Sequence, residues 1–471
     1  MSIKKNIFYN IVYQTIIIIL PLITFPYISR VVGVKGIGIY SYSYSIVSYF
    51  MLLVMLGVTN YGNRNIATVK DNKDKLSNTF WDIYLIQLIS GTIMIILYII
   101  YIIFFLKDNQ NIAWVQGIYL LAAIFDINWL FFGMEKFKIT VSRNVIIKIL
   151  SVICIFIFVK EKSDIIIYTF IMASSHFLSN FILWFFLKKY IYSIKINIKR
   201  TRKHIKPNLI LFIPVIAVSI YKIMDKVMLG QMTNMIQVGY YENTEKIINI
   251  PMGIITAIGT VMLPRMSNLI SKGNIKKSEM YIEKSIQFVM FMSCAITFGL
   301  MAIGPEFILI FFGEEFSYCG TLIIYLAPTV IFISWANVIR TQYLIPNKKD
   351  NIYIKSVFLG AIVNLTINIT LIPKYKSLGA IIGTIIAELS VMLYQTIYVK
   401  NELAINKYIK KSIIFLVSGI VMYVSIININ YKFSSTIVSL IFKIILGAII
   451  YLSINGIYFF IKDKQKNKIF I

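Results

Sequence analysis

The chain has 471 residues, 58% of them hydrophobic and only 14% charged, with 47 Lys and Arg against 20 Asp and Glu for a formal net charge of +27. A chain this apolar does not fold as a water-soluble globule, so it reads as a polytopic membrane protein. The three cysteines, Cys154, Cys294 and Cys319, stand apart in or beside apolar runs, which excludes a disulfide framework and a zinc site.

Apolar runs of about 17 to 25 residues are long enough for a helix to cross roughly 30 Å of hydrocarbon. They predict an all-α fold of about fourteen transmembrane helices, near 7–29, 37–60, 80–106, 113–133, 144–160, 165–187, 208–230, 240–264, 284–304, 319–340, 353–373, 378–399, 412–430 and 436–461. The first run continues as Ile28-Ser29-Arg30 with no small-residue cleavage site and reads as a retained helix. Pro21 and Pro26 interrupt it, as Pro214 interrupts span seven and Pro251 and Pro328 spans eight and ten; each removes a backbone donor and marks a place to bend. Span one ends on Arg30, just before Gly33, and span two carries Ser41, Ser45 and Ser48 on one face. Small polar stripes commonly serve helix packing in membranes, and the rival reading here is a hydroxyl-rich wall for sugars. Span four carries Asp126 near its middle.

Between spans six and seven lies the densest basic cluster, Lys195 through Lys206, including Lys199, Arg200, Arg202 and Lys203. It reads as a topological anchor on anionic lipid, or as a contact for a lipid-diphosphate headgroup. Span seven then presents Lys222, Asp225 and Lys226, with the two lysines four apart on one helix face. This is either an internal ion pair or a net positive site. Lys226 precedes Gly230 much as Arg30 precedes Gly33, so cations from two halves are expected to converge on a cavity. Glu242 stands four residues before Lys246 in the favourable order for a helical ion pair. Asn364 and Asn368 share a face of span eleven, and Glu388 lies near the middle of span twelve. A charge at the bilayer centre costs a few kcal/mol, so such residues normally face a partner or a wet cavity.

The Lys and Arg residues concentrate in the termini and the even-numbered loops. That imbalance follows the positive-inside rule with both termini cytoplasmic, and it argues against nucleic acid as a partner. Gly38, Tyr40 and Arg64 recur at constant offset as Gly239, Tyr241 and Arg265, and Trp129 and Lys148 find counterparts in Trp335 and Lys355. Six spans precede the basic linker and six follow it, so the copies are expected to run parallel, the arrangement of a duplicated transporter. The expected organisation is an N-lobe at 1–206, a C-lobe at 207–400 and an appended helix pair at 401–471. No Walker sequence, G-x-S-x-G or H-E-x-x-H is present, and the short external loops offer no room for a catalytic domain, so no enzyme activity is expected.

Pro26-Tyr27-Ile28-Ser29-Arg30-Val31-Val32-Gly33, Gly36-Ile37-Gly38-Ile39-Tyr40 and Gly57-Val58-Thr59-Asn60-Tyr61-Gly62-Asn63-Arg64 resemble the first two helices of the polysaccharide transport family. These are the Wzx-type flippases of the multidrug/oligosaccharidyl-lipid/polysaccharide superfamily. Trp129-Leu130-Phe131-Phe132-Gly133, Asp225-Lys226-Val227-Met228-Leu229-Gly230, Val238-Gly239-Tyr240-Tyr241 and Val261-Met262-Leu263-Pro264-Arg265 fit the same pattern, so the resemblance covers essentially the whole chain. It implies a flippase in the bacterial cytoplasmic membrane moving undecaprenyl-diphosphate-linked oligosaccharide units for capsule, O-antigen or related polysaccharide assembly. It also implies alternating inward-open and outward-open states around a cationic central cavity, with Arg30 facing that cavity. Only Arg30 is carried over from the resemblance; depth and charge add Lys222 and Lys226 beside it for the diphosphate, and the polar stripes add Asn364, Asn368 and Ser45 for the sugars. Asp126, Asp225 or Glu388 takes up a coupling proton or sodium ion, no cofactor or resident metal is needed, and a polymerase with chain-length machinery is a further partner. The alternatives are a drug or cation exporter of the same superfamily, which needs an acid-dominated cavity, and a membrane polymerase.

Overall fold

The computed structural model describes residues 3–192, 198–429 and 435–468, and the side chains of residues 1–19, 137, 214, 217, 220–222 and 462–471 lie outside the described set. Among the described residues the chain is helical, without strands. The first compact unit, Met1–Gly239, holds α1 (Ile3–Met55), α2 (Val58–Val69), α3 (Lys73–Phe104), α4 (Gln110–Ile124), α5 (Asn128–Gly133), α6 (Phe137–Phe158), α7 (Ile165–Leu187) and α8 (Ile198–Met232). The start of α9 (Met235–Ser271) also belongs to it. The second unit, Tyr240–Ile471, holds the rest of α9 with α10 (Ile275–Phe312), α11 (Ser317–Leu326), α12 (Thr329–Ile339), α13 (Asp350–Tyr375), α14 (Ser377–Val399), α15 (Ile405–Ile427) and α16 (Thr436–Lys468).

The packing is that of a protein whose solvent is lipid. On α3 the aliphatic Ile93, Ile96, Ile100 and Ile103 are exposed, whereas Gln87, Ser90 and Gly91 on the opposite face are buried. Lipid tails are as apolar as leucine, so small and polar side chains hold such helices together instead. Eleven helical segments among the described residues are long and apolar enough to cross a membrane. The number is twelve when Glu314–Leu326 and Thr329–Leu344, bent by 47°, form one span. That tally takes Leu20–Val69 as one segment and leaves out α8, so the fourteen expected from the sequence stands as an approximate number.

Breaks fall where the backbone, not proline alone, demands them. α1 runs through Pro21 and Pro26 and turns at Gly33, whose φ of 74° lies in the region open chiefly to glycine. A second break follows at Leu56-Gly57, with Gly57 at φ 85°. α9 likewise continues through Pro251, whereas Pro328 sits at the 47° bend. In the first unit α1 packs on α3, α4, α6 and α8, α4 and α6 on α7, and α2 on α5. The recurring glycines also meet there. A methyl added to Gly38 would fall 1.7 Å from the Met235 carbonyl oxygen, and one on Gly239 would fall 2.1 Å from that of Val34. In the second unit α13 and α14 form a close pair, and α15 and α16 pack on α10.

Candidate functional site

Within the first unit, polar chemistry gathers where the fourth predicted span breaks between α4 and α5. A helix end leaves four carbonyls without intrahelical partners, and hydrocarbon has no water to supply them. Five consecutive carbonyl oxygens are taken here by side chains. Ala122 accepts from Asn180 Nδ2 at 2.8 Å, and Phe125 from Trp184 Nε1 at 3.0 Å. Ala123, Ile124 and Asp126 all accept from Gln87 Nε2, at 2.7, 3.1 and 2.9 Å, while Gln87 Oε1 accepts from Trp129 Nε1 at 3.1 Å.

The carboxylate at the break is held as tightly. Asp126 Oδ1 accepts from the Asn128 backbone N–H at 2.9 Å and from Asn128 Nδ2 at 2.7 Å. Asn128 Nδ2 also donates to Asn180 Oδ1 at 3.0 Å, and Asn128 Oδ1 accepts from Arg143 Nη2 at 3.0 Å. Arg143, only 6% exposed, donates in addition to Asn144 Oδ1 at 2.7 Å, which Ser179 reaches at 2.6 Å. His176 stands close enough to Asp126, Arg143 and Lys148 to interact electrostatically with each. A charge placed alone at bilayer depth costs about 2.5–3.5 kcal/mol on insertion scales. Bringing an acid, a guanidinium and three amides into one network offsets that, and it leaves a fixed polar site on rigid helices.

The other expected residues of this unit are spread along α1 and α8. Arg30 is exposed, three residues before the Gly33 break. Ser45 is buried and donates to Ser41 O at 2.7 Å, and Ser48 to Tyr44 O at 2.6 Å, so both protons remain on their own helix. Asp225 is buried at 3% exposure, near enough to Tyr49 to interact electrostatically, and Lys226 is half-buried one residue on. Lys222 lies outside the described side chains. A pocket of about 400 Å³ opens in the same unit between Ser48, Met51 and Thr59 on one side and Phe212, Ser219 and Ile223 on the other.

In the second unit the structure joins Asn364 and Asn368, both fully buried on α13, with Asn368 Nδ2 donating to Asn364 Oδ1 at 3.1 Å. Gly383 on α14 makes room for them: a methyl there would fall 2.2 Å from Asn368 Oδ1. Asn364 Nδ2 finds no hydrogen-bond partner among the described residues. The next residue, Thr384, shares a hydrogen bond of 3.1 Å with Tyr241. Glu388, one turn further along α14, is buried at 7% exposure. Glu242 and Lys246 form the expected i,i+4 pair, at 3.3 Å.

Sequence reasoning missed Arg143, Gln87 and a third cluster at the start of α8. There Asp82 of α3, 2% exposed, accepts from Arg200 Nε, and His204 Nε2 lies 3.9 Å from the same carboxylate oxygen. His204 Nδ1 is 2.7 Å from the Tyr61 hydroxyl. Burial pushes the His204 pKa below its usual value, with Arg200 acting in the same sense and Asp82 against it. Part of the basic linker is therefore bound to protein rather than to lipid.

A bundle of membrane-length helices that buries such polar networks defines a class, the multi-pass membrane transporters. More particularly, the chain belongs to the polysaccharide biosynthesis protein family, whose model matches residues 3–270. It is similar to two proteins named "Putative O-antigen transporter". That of Escherichia coli (strain K12) is 24% identical over 406 residues, 85% of this chain and 98% of the relative. That of Shigella dysenteriae is 26% identical over 402 residues, 84% of this chain and 100% of the relative. The solved structure of lipid II flippase MurJ in an inward closed conformation shares the fold, with a TM-score of 0.79 at 17% identity, over 96% of this chain and 99% of that one.

Proposed function

We propose that this protein is a flippase that carries undecaprenyl-diphosphate-linked oligosaccharide repeat units across the cytoplasmic membrane for polysaccharide assembly, by alternating access. The observation that carries the reading is similarity along nearly the whole length of the O-antigen transporters, together with membership of the polysaccharide biosynthesis family. The charge distribution supports an orientation with both termini in the cytoplasm.

In this mechanism the polyprenyl tail stays in lipid while the diphosphate and sugars follow a polar path. Arg30, Lys222 and Lys226 attract the diphosphate, the guanidinium of Arg30 matching its oxygens two at a time. Asn364 and Asn368 meet the sugars with buried amide groups, and Ser45, whose proton is committed to Ser41, offers oxygen lone pairs. Binding shifts the protein between states only as far as it differs between them. An ion taken up at Asp126, Asp225 or Glu388 gives the cycle direction. A polymerase with its chain-length partners receives the product.

The test is leaflet translocation of a fluorescent lipid-linked saccharide by the purified protein in vesicles. Arg30→Ala is expected to slow translocation at least tenfold. Transport of an organic cation with no movement of the lipid-linked saccharide would overturn the assignment in favour of an exporter. Unchanged rate and pH dependence in Glu388→Gln would remove Glu388 from coupling.

A further inference from the structure

The basic linker divides into two faces with different partners. Along the first turns of α8, Thr201, His204, Asn208 and Phe212 point inward: Thr201, Asn208 and Phe212 are buried and His204 is half-buried. Gly57 allows that approach, since a methyl on it would fall 2.9 Å from Asn208 O and 3.0 Å from Phe212 N. Asp82 and Tyr61 bind Arg200 and His204, which fixes the rotation of the helix about its own axis.

That fixed rotation sends a different set outward. Arg202 and Lys206 are exposed, four residues apart, and Leu209 and Ile213 follow on the same stripe at 42% and 49% exposure. Residues at i, i+4, i+7 and i+11 share one helix face. The stripe is about 16 Å long at 1.5 Å per residue. It borders an open recess of about 620 Å³ lined by Arg202, Ile205, Lys206, Leu209, Ile210, Phe212 and Ile213. Neither Arg202 nor Lys206 has an ion-pair partner among the described residues. Two cations at one end of an apolar track match a molecule with an anionic head and a hydrocarbon tail.

We propose that this face is a binding site for one anionic glycerophospholipid. Its phosphate sits between Arg202 and Lys206 and an acyl chain lies along Leu209 and Ile213. The occupant is an ordinary membrane lipid rather than the carried substrate, because the recess offers nothing polar to a sugar chain beyond the two cations. The cytoplasmic leaflet, where the proposed orientation puts α8, is rich in such lipids. The site therefore rests on the orientation given under the proposed function.

The neighbouring pair Lys199 and Lys203 supplies the control. It has the same spacing and is also exposed, but a third lysine, Lys206, takes the place seven residues on where the lipid stripe has Leu209. The experiment is native mass spectrometry of the detergent-purified full chain with phosphatidylglycerol, phosphatidylcholine or undecaprenyl phosphate. Wild type is expected to retain one phosphatidylglycerol in preference to phosphatidylcholine. Arg202→Gln with Lys206→Gln should weaken retention at least about tenfold, since it removes both cations that hold the phosphate at the head of the apolar stripe. Lys199→Gln with Lys203→Gln should leave it within about twofold. Equal loss in both double variants would mean diffuse attraction and overturn the site. Stronger retention of undecaprenyl phosphate than of phosphatidylglycerol would overturn the choice of occupant. Labelling Lys203→Cys from either side of sealed vesicles, in a background with Cys154, Cys294 and Cys319 replaced by Ser, reads the orientation separately, so its failure is distinguishable from failure of the site.

Discussion

The Asp82–Arg200 contact allows a prediction in which the two partners are not equivalent. Asp82 is 2% exposed, whereas Arg200 is 34% exposed. Arg200→Gln strands a buried carboxylate, while Asp82→Asn strands a guanidinium that still reaches water along a flexible stem. Removing one partner of a fully buried pair costs about 3–5 kcal/mol. Arg200→Gln belongs at the lower end of that range, because the pair is only partly buried: Arg200 is 34% exposed, and water can reach the space it leaves. Asp82→Asn should cost about 1–2 kcal/mol, near the value of one charge-assisted hydrogen bond discounted for the exposure of Arg200. The double variant leaves two neutral amides and should cost less than the sum of the singles by about 1–2 kcal/mol. Thermal or denaturant unfolding of the four proteins in one detergent measures the cycle. Equal losses in the two single variants, or strict additivity, would refute the assignment of Asp82 as the buried anchor of α8.

Gln87→Leu keeps the bulk of the side chain but removes the donor to three carbonyls and the acceptor for Trp129. It should destabilise the protein by about 2–6 kcal/mol, the span between membrane and aqueous values for a few lost hydrogen bonds, as read by unfolding in detergent. Gly383→Ala places a methyl 2.2 Å from Asn368 Oδ1 and should cost about 1–3 kcal/mol while slowing translocation; a fully active, equally stable variant would show that the close approach of α14 is dispensable. His204 binds protons less readily in the folded protein than at its usual pKa of 6.5, so the unfolded chain binds more protons just below that value. Stability should therefore fall as pH drops through that window, and His204→Gln should flatten this part of the pH dependence of unfolding.

The membrane architecture was legible because hydropathy and charge asymmetry are summed over many residues, which makes them robust. Asp126, Asn364 and Asn368 were visible as polar residues where apolar ones are expected. Arg143 was not, since it stands one residue before the predicted span 144–160 and counts there as an interfacial cation. Gln87 is hidden for another reason: one uncharged amide barely lowers the average of a strongly apolar helix, and its value lies in carbonyls some 36 to 39 residues away. Asp82, two residues inside the predicted span 80–106, could have been found by pairing it with the linker cations, but nothing in the sequence says which cation it takes. The proline pattern pointed to bends, and α1 in fact turns at Gly33, where positive φ rather than a missing donor sets the geometry.

The knot of side chains around residues 122–126 constrains how this protein can move. A discontinuity whose five carbonyl oxygens are all engaged by side chains stores little slack, and opening it would release several dipoles into oil at once. The segment behaves as a weld rather than a joint, so shape change in the first unit has to be taken up at other places, such as the turns at Gly33 and Gly57. A reporter dye attached beside the weld should stay silent through a working cycle, which makes it a suitable fixed reference for distance measurements elsewhere.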